Sequence, residues 1–285
     1  MLKIEPRKNR SNFLEVSAPV IAVFLTMIFG GFLFLSMGKN PFEAIKLIFW
    51  DPIMSPTFSE YSRPQLVIKA APLILIALGL SFGFRANIWN IGAEGQYIMG
   101  ALISGSIGLA LYPLDSMVIF PLMILGGIIG GILWAMIPAI LKIRFNTNEI
   151  LVSLMLVYVA EQILALASVG FLRNPEGLGF PGSRDLSKYP SAANPELIAN
   201  SGIHMGVIFS IIAVIVLTYF LIYHRLGFQI KLLGQAPKAS KFSGVNSNYI
   251  IIFCLGLSGG LAGVAGMFEL TGPAGLINID FNVGY

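Results

Sequence analysis

Three groups of polar residues interrupt an otherwise apolar chain of 285 residues, and each could support a different chemistry. The stretch FRANIWNIGAEGQYIMGA gathers Arg85, Asn87, Asn90, Glu94 and Gln96. Neutral amide donors and acceptors outnumber the charges there, a set suited to holding an uncharged, hydroxyl-rich molecule. In NTNEILVSLMLVYVAEQILAL, Asn148 is placed to cap a helix, Glu149 meets the positive end of that helix, and Glu161 with Gln162 lies near its middle. Gly256 to Gly260 reads G-x-S-x-G around Ser258, the nucleophile pattern of serine hydrolases and, as Gly-Leu-Ser-Gly, of intramembrane proteases. A serine nucleophile needs a general base. Both histidines, His204 and His224, lie upstream at the ends of one apolar stretch, which argues against a protease. Cys254 is the only cysteine, so the chain has no internal disulfide and no Cys-based metal site. GLGFPG at 177–182 fits G-x-G-x-x-G in form alone, because no strand precedes it and Pro181 interrupts it. No phosphate-loop motif is present. The sequence predicts no catalytic residue, no metal and no cofactor, and any ATP-driven process needs a second polypeptide.

The elements that must position these groups are helices in a lipid bilayer. Apolar residues make up 56% of the chain and charged residues 11%, against about a quarter charged in a soluble globule. A soluble enzyme, a nucleic-acid binder and a disordered chain are therefore poor readings. The net charge of +4 is too weak and too scattered for a nucleic-acid footprint. Runs at 16–37, 66–84, 95–114, 116–141, 150–172, 202–223 and 249–268 each suit a core of about 30 Å. The expectation is an all-α, polytopic transmembrane helical bundle with about seven spans. The first run is longer than a signal-peptide core and ends in FLFLSM, so it is read as a retained span. Placing the N-terminus in the cytoplasm puts Lys3, Arg7, Lys8, Arg10, Arg85, Lys142, Arg144, Arg225, Lys231, Lys238 and Lys241 on that side. That orientation makes 1–15 a cytoplasmic segment, 16–285 the transmembrane domain and 223–248 the longest cytoplasmic loop. The outer loops, 38–65 and 173–201, are either connectors with interfacial helices or a docking surface.

Spacing leaves several roles open. A helix break at Asn90-Ile91-Gly92 is either a site near the bilayer centre for a transported solute or a cytoplasmic turn in which Asn90 caps the next helix. A carboxylate at mid-span costs at least about 2.5–3.5 kcal/mol unless it faces protein or water, so Glu161 should point into the bundle. Asn87, Asn90, Glu94, Gln96, Glu161 and Gln162 are the candidate pathway residues. In the loop HRLGFQIKLLGQAPKASKFSGVNSNY, Pro237 opens a short helix and Gly244 closes it. Ala236, Ser240 and Ser243 or Gly244 then recur as a face of small residues flanked by Lys238 and Lys241. Such a face admits another protein closely, whereas a basic loop on anionic lipid is the alternative. Paired small-xxx-small spacing predicts tight helix packing through Gly126, Gly130, Gly256, Gly259, Gly260 and Gly263.

Four motifs in order, NIGAEGQ at 90–96, NEILVSLML at 148–156, GQAPKASKFSGVN at 234–246 and LSGGLAGVAG at 257–266, resemble the permease subunits of bacterial ABC importers of the branched-chain amino acid, ribose and simple-sugar group. The first two look most like its nucleoside and simple-sugar branch. The resemblance covers about three-quarters of the chain. It implies inward transport of a small polar solute, with a cytoplasmic ABC ATPase subunit, a second permease subunit and an extracytoplasmic substrate-binding protein as partners. It also implies that Gly234, Gln235, Ala236, Pro237, Lys238, Ala239, Ser240, Lys241 and Gly244 form the coupling helix that docks on the ATPase. Ala236 stands where the family usually has Asn, and Ser240 where it usually has Ala. The family carries further helices beyond 266, so a C-terminal truncation is expected. Competing readings are an ATP-independent transporter or channel and a branched-chain amino acid permease.

Overall fold

The computed structural model describes residues 11–198 and 201–281. The basic residues Lys3, Arg7, Lys8 and Arg10 therefore lie outside the described residues, as do Asn282 to Tyr285. Two compact units are present, one up to Arg63 and one from Pro64 onward. The first holds α1 (Asn12–Ser36), α2 (Pro41–Ile45), α3 (Asp51–Met54) and the start of α4 (Ser59–Arg85). Asn40 caps α2 by accepting a hydrogen bond from the Phe42 amide at 3.0 Å, and Arg63 Nε donates to the Ile53 carbonyl at 2.7 Å.

The second unit continues α4 and adds α5 (Ala93–Ala110), α6 (Ile119–Phe145), α7 (Glu149–Val169), α8 (Met205–Tyr223), α9 (Arg225–Gln235), α10 (Pro237–Phe242) and α11 (Ser247–Thr271). All regular structure among the described residues is helical. Among the described residues six helices, α1, α4, α6, α7, α8 and α11, are long and apolar enough to cross a membrane. α5, the expected seventh, has only 18 residues and is rich in Gly and Ser. It depends on the surrounding bundle, where Tyr97, Ile98 and Ala101 are fully buried.

The core is the junction of α5, α6 and α11. Lipid tails are as apolar as Leu, so burial of oily side chains does not pull helices together in a bilayer; close backbone approach does. A Cβ on Gly263 of α11 would strike the Gly127 carbonyl and lie 3.0 Å from Gly131 Cα of α6, and one on Gly100 of α5 would strike Gly263. Of the predicted packing glycines, Gly259 meets Gly131 backbone, and Gly130 would place a Cβ 2.8 Å from the Met99 carbonyl. Gly126 faces the Ile107 side chain, while Gly256 and Gly260 meet side chains and no backbone, Met136 at 3.2 Å for the first and Ile132 at 3.3 Å with Ile128 for the second.

Candidate functional site

The break between α4 and α5 is real, and its backbone is satisfied by side chains from the helices around it. Trp89 N–H donates to Glu149 Oε1 (3.5 Å), Ile91 N–H to Ser153 Oγ (3.2 Å) and Gly92 N–H to Asn90 Oδ1 (3.1 Å). Asn90 and Gln96 are both buried. Asn90 Nδ2 donates to Gln96 Oε1 (2.8 Å) and to Ser258 Oγ (2.9 Å), and Gln96 Nε2 donates back to Asn90 Oδ1 (3.1 Å). This closed network joins α5 to α11, and Ser258, the serine of the hydrolase-like pattern, serves in it as an acceptor. Gly92 rather than Asn90 occupies the N-cap of α5. Asn87 takes left-handed backbone (φ 58°), is exposed, and accepts from Trp89 Nε1 at 3.3 Å.

The remaining pathway candidates lie on one pair of helices. Glu94 of α5 and Glu161 of α7 are half-buried and near enough for their charges to interact, and Gln162 is exposed beside Glu161. α5 and α7 run side by side because glycine permits it: a Cβ on Gly92 would lie 2.6 Å from the Ser153 carbonyl, and one on Gly95 3.1 Å from Val157 Cα. At the start of α7, Asn148 Oδ1 caps the helix by accepting from Ile150 N–H at 3.0 Å. Glu149, buried, receives Lys142 Nζ at 2.5 Å. Sequence spacing named Glu161 and Gln162 but missed Ser153, whose partner Ile91 is far away in the chain, and Lys142, whose partner Glu149 lies across the α6–α7 turn.

The segment after α8 holds the short helix expected at Pro237 and also α9, a helix that the sequence pattern does not announce, and it faces differently. α9 lies against the end of α4, where a Cβ on Gly234 would strike the Arg85 carbonyl. Pro237 opens α10, and its end is a Schellman closure: Val245 N–H donates to Ser240 O (3.1 Å), Gly244 N–H to Lys241 O (3.2 Å), and Gly244 has φ +74°. Ala236 contributes no side-chain cap. One member of the small-residue face turns inward. Ser240 is completely buried, so its small size seats α10 on its own protein. The outward face instead carries Pro237, Lys238, Ala239 and Lys241 with Phe242, which is 96% exposed. Gln235 and Gly244 are exposed as well, at the two ends.

At the opposite end of the bundle the long loop after α7 is held by its own polar contacts. Burial opposes ionisation of Asp185, but hydrogen bonds from Ser187 and the Lys188 ammonium outweigh it and hold the carboxyl below its ordinary value. Buried His204 caps α8, its Nδ1 accepting from Gly206 N–H at 3.1 Å, and burial pushes its imidazole down to about 4. No group of three or more metal-ligating side chains occurs among the described residues.

The family described as the branched-chain amino acid transport system permease component matches residues 63–285, the second compact unit almost to the residue. The chain belongs to that family. It is a multi-pass membrane permease, and its likeness to individual members is broad. A glucose ABC transporter permease protein of Haloferax volcanii is 28% identical over 294 positions, covering all of this chain and 75% of the relative. A nucleoside ABC transporter permease protein of Lactococcus lactis is 27% identical, covering 89% of this chain and 70% of the relative. A guanosine ABC transporter permease protein of Bacillus subtilis is 26% identical, covering 89% and 71%. No solved structure matches the permease.

Proposed function

We propose that the permease is the membrane subunit of an ATP-binding cassette importer that brings a nucleoside or simple sugar into the cytoplasm of a bacterial cell. Its partners in this reading are a cytoplasmic ATPase subunit, a second permease subunit, identical or not, and an extracytoplasmic binding protein. The N-terminus is cytoplasmic, which sets α9 and α10 on the ATPase side, and this chain performs no covalent chemistry.

The solute path runs along the α5/α7 face. Glu94, Glu161 and Gln162 lie there with part of their surface open, and at membrane depth such groups are tolerated only against protein or water. Asn90 and Gln96 support the path from behind, since their amides are engaged with each other and with Ser258, and Asn87 stands at its inner end.

The observation that carries the coupling role is the outward face of α10. A short helix closed at its C-terminus, seated by a buried Ser240 and presenting a nearly fully exposed Phe242 beside Lys238 and Lys241, has the form of an anchor for another protein. Phe242→Asp should reduce ATP-driven uptake by reconstituted transporter at least tenfold while leaving the yield and folding of the permease unchanged. An ATP-independent carrier would keep full uptake in that variant, and that result would overturn the proposal. Ser240→Glu is the weaker probe, because the buried site would be disrupted in either case.

A further inference from the structure

A cavity of about 770 Å³ opens at the far end of α5 and α7, away from α9 and α10. Its size falls within the range of about 300–1,000 Å³ usual for small-molecule sites. Ser106 of α5, Tyr112, and Phe171, Arg173 and Arg184 from the loop after α7 line it. One wall is fixed in advance. The Arg184 guanidinium lies 4.6 Å over the Tyr112 ring and is held at 3.1 Å by Glu176 Oε1. Tyr112 in turn packs edge-on against the buried Tyr189 ring at 5.2 Å. Phe171 is 76% exposed, and Arg173 makes no ion pair among the described residues. The lining therefore offers flat surfaces for stacking and guanidinium donors that want acceptors.

Building on the transport reading above, we propose that this cavity is the reception site for a neutral nucleoside on its way to the α5/α7 face. The base stacks on Phe171 or on the Tyr112–Arg184 plane, and Arg173 donates to a carbonyl of the base. The Ser106 hydroxyl donates to the Leu102 carbonyl at 2.7 Å, which leaves its lone pairs for a ribose hydroxyl. Deeper on the same two helices, the carboxylates Glu94 and Glu161 repel an anion, so the phosphorylated form is turned away where the uncharged one passes.

The test uses the full chain in lipid nanodiscs without its partners, with tritiated uridine as probe and unlabelled uridine, uridine monophosphate and glucose as competitors. Saturable uridine binding is expected, weakened tenfold or more by Phe171→Ala or Arg173→Ala and less by Arg173→Lys, with uridine monophosphate and glucose competing poorly. Phe171 and Arg173 are exposed, so folding is spared, and Phe171→Trp supplies a second readout through quenching of its fluorescence by the bound base. No saturable binding, binding that both alanine variants leave intact, or equal competition by glucose or the monophosphate would overturn the assignment. Proteoliposomes carrying the ATPase partner separate the two proposals. ATP-driven uridine uptake without cavity-dependent binding rejects the cavity alone, whereas cavity binding without ATP-driven uptake of any solute rejects the importer reading alone.

Discussion

α1 and α11 are both 25-residue helices of nearly equal mean hydropathy, yet 78% of the most apolar stretch of α11 is buried and only 6% of that of α1. Hydropathy says that a helix belongs in a bilayer. It does not say whether its neighbour is lipid or protein. The difference lies in the glycines: nothing in its own compact unit fills the space where a Cβ on Gly30 of α1 would sit, while Gly263 of α11 has the Gly127 carbonyl there. In a solvent of acyl chains, a row of missing side chains is what lets one apolar helix prefer another helix.

That contrast breaks first at the glycines. Gly263→Leu should prevent recovery of monodisperse permease from detergent, because overpacking costs about 1–3 kcal/mol even when side chains can move, and here the obstruction is backbone. Gly30→Leu should leave size-exclusion profile and melting temperature nearly unchanged. Equal loss from both would mean that α1 is covered as α11 is. Next in size is Lys142→Ala, which strands the buried Glu149 carboxylate. With Lys142 partly exposed, a loss of about 3 kcal/mol is expected, at the low end for breaking a buried pair, and Lys142→Ala/Glu149→Gln should recover much of the lost melting temperature. Asn90→Leu leaves the Gln96 amide and Ser258 hydroxyl without their partner, at about 1–3 kcal/mol. Ser258→Ala, which removes one acceptor, should cost less, and a thermal melt of the two variants gives the ranking.

The smallest effect concerns pH. His204 packs on Phe268 of α11 and titrates at about 4 in the fold, against about 6.5 in an unfolded chain. Between those values the unfolded chain takes up a proton that the folded one refuses, so stability at this end declines as pH falls from about 6.5 and is lost through about 4. The melting temperature of the wild type should therefore drop more between pH 7.5 and 4.5 than that of His204→Asn.

The membrane-crossing helices were legible because each is a long apolar run, and the spans expected at 66–84, 116–141 and 249–268 correspond to α4, α6 and α11. The caps at Asn148 and the Gly244 closure were legible for a similar reason, since capping is local chemistry. Ser240 was misread because an i, i+4 stripe shows which residues share a face and not whether the face turns outward. Lys142 was counted among the basic residues of the cytoplasmic side, and its pairing with the nearby Glu149 depends on how the turn between α6 and α7 brings the two helix ends together.

Composition and order of motifs were enough to decide that this protein is a helical membrane permease, because the cost of placing polar backbone and charge in hydrocarbon leaves a chain this apolar little other choice. Which glycines touch, that Asn90 closes on Gln96 and Ser258, and that Phe242 rather than Ser240 faces outward were decided only in three dimensions. These depend on how helices are rotated against one another, and rotation is settled by contacts between residues that the chain keeps far apart.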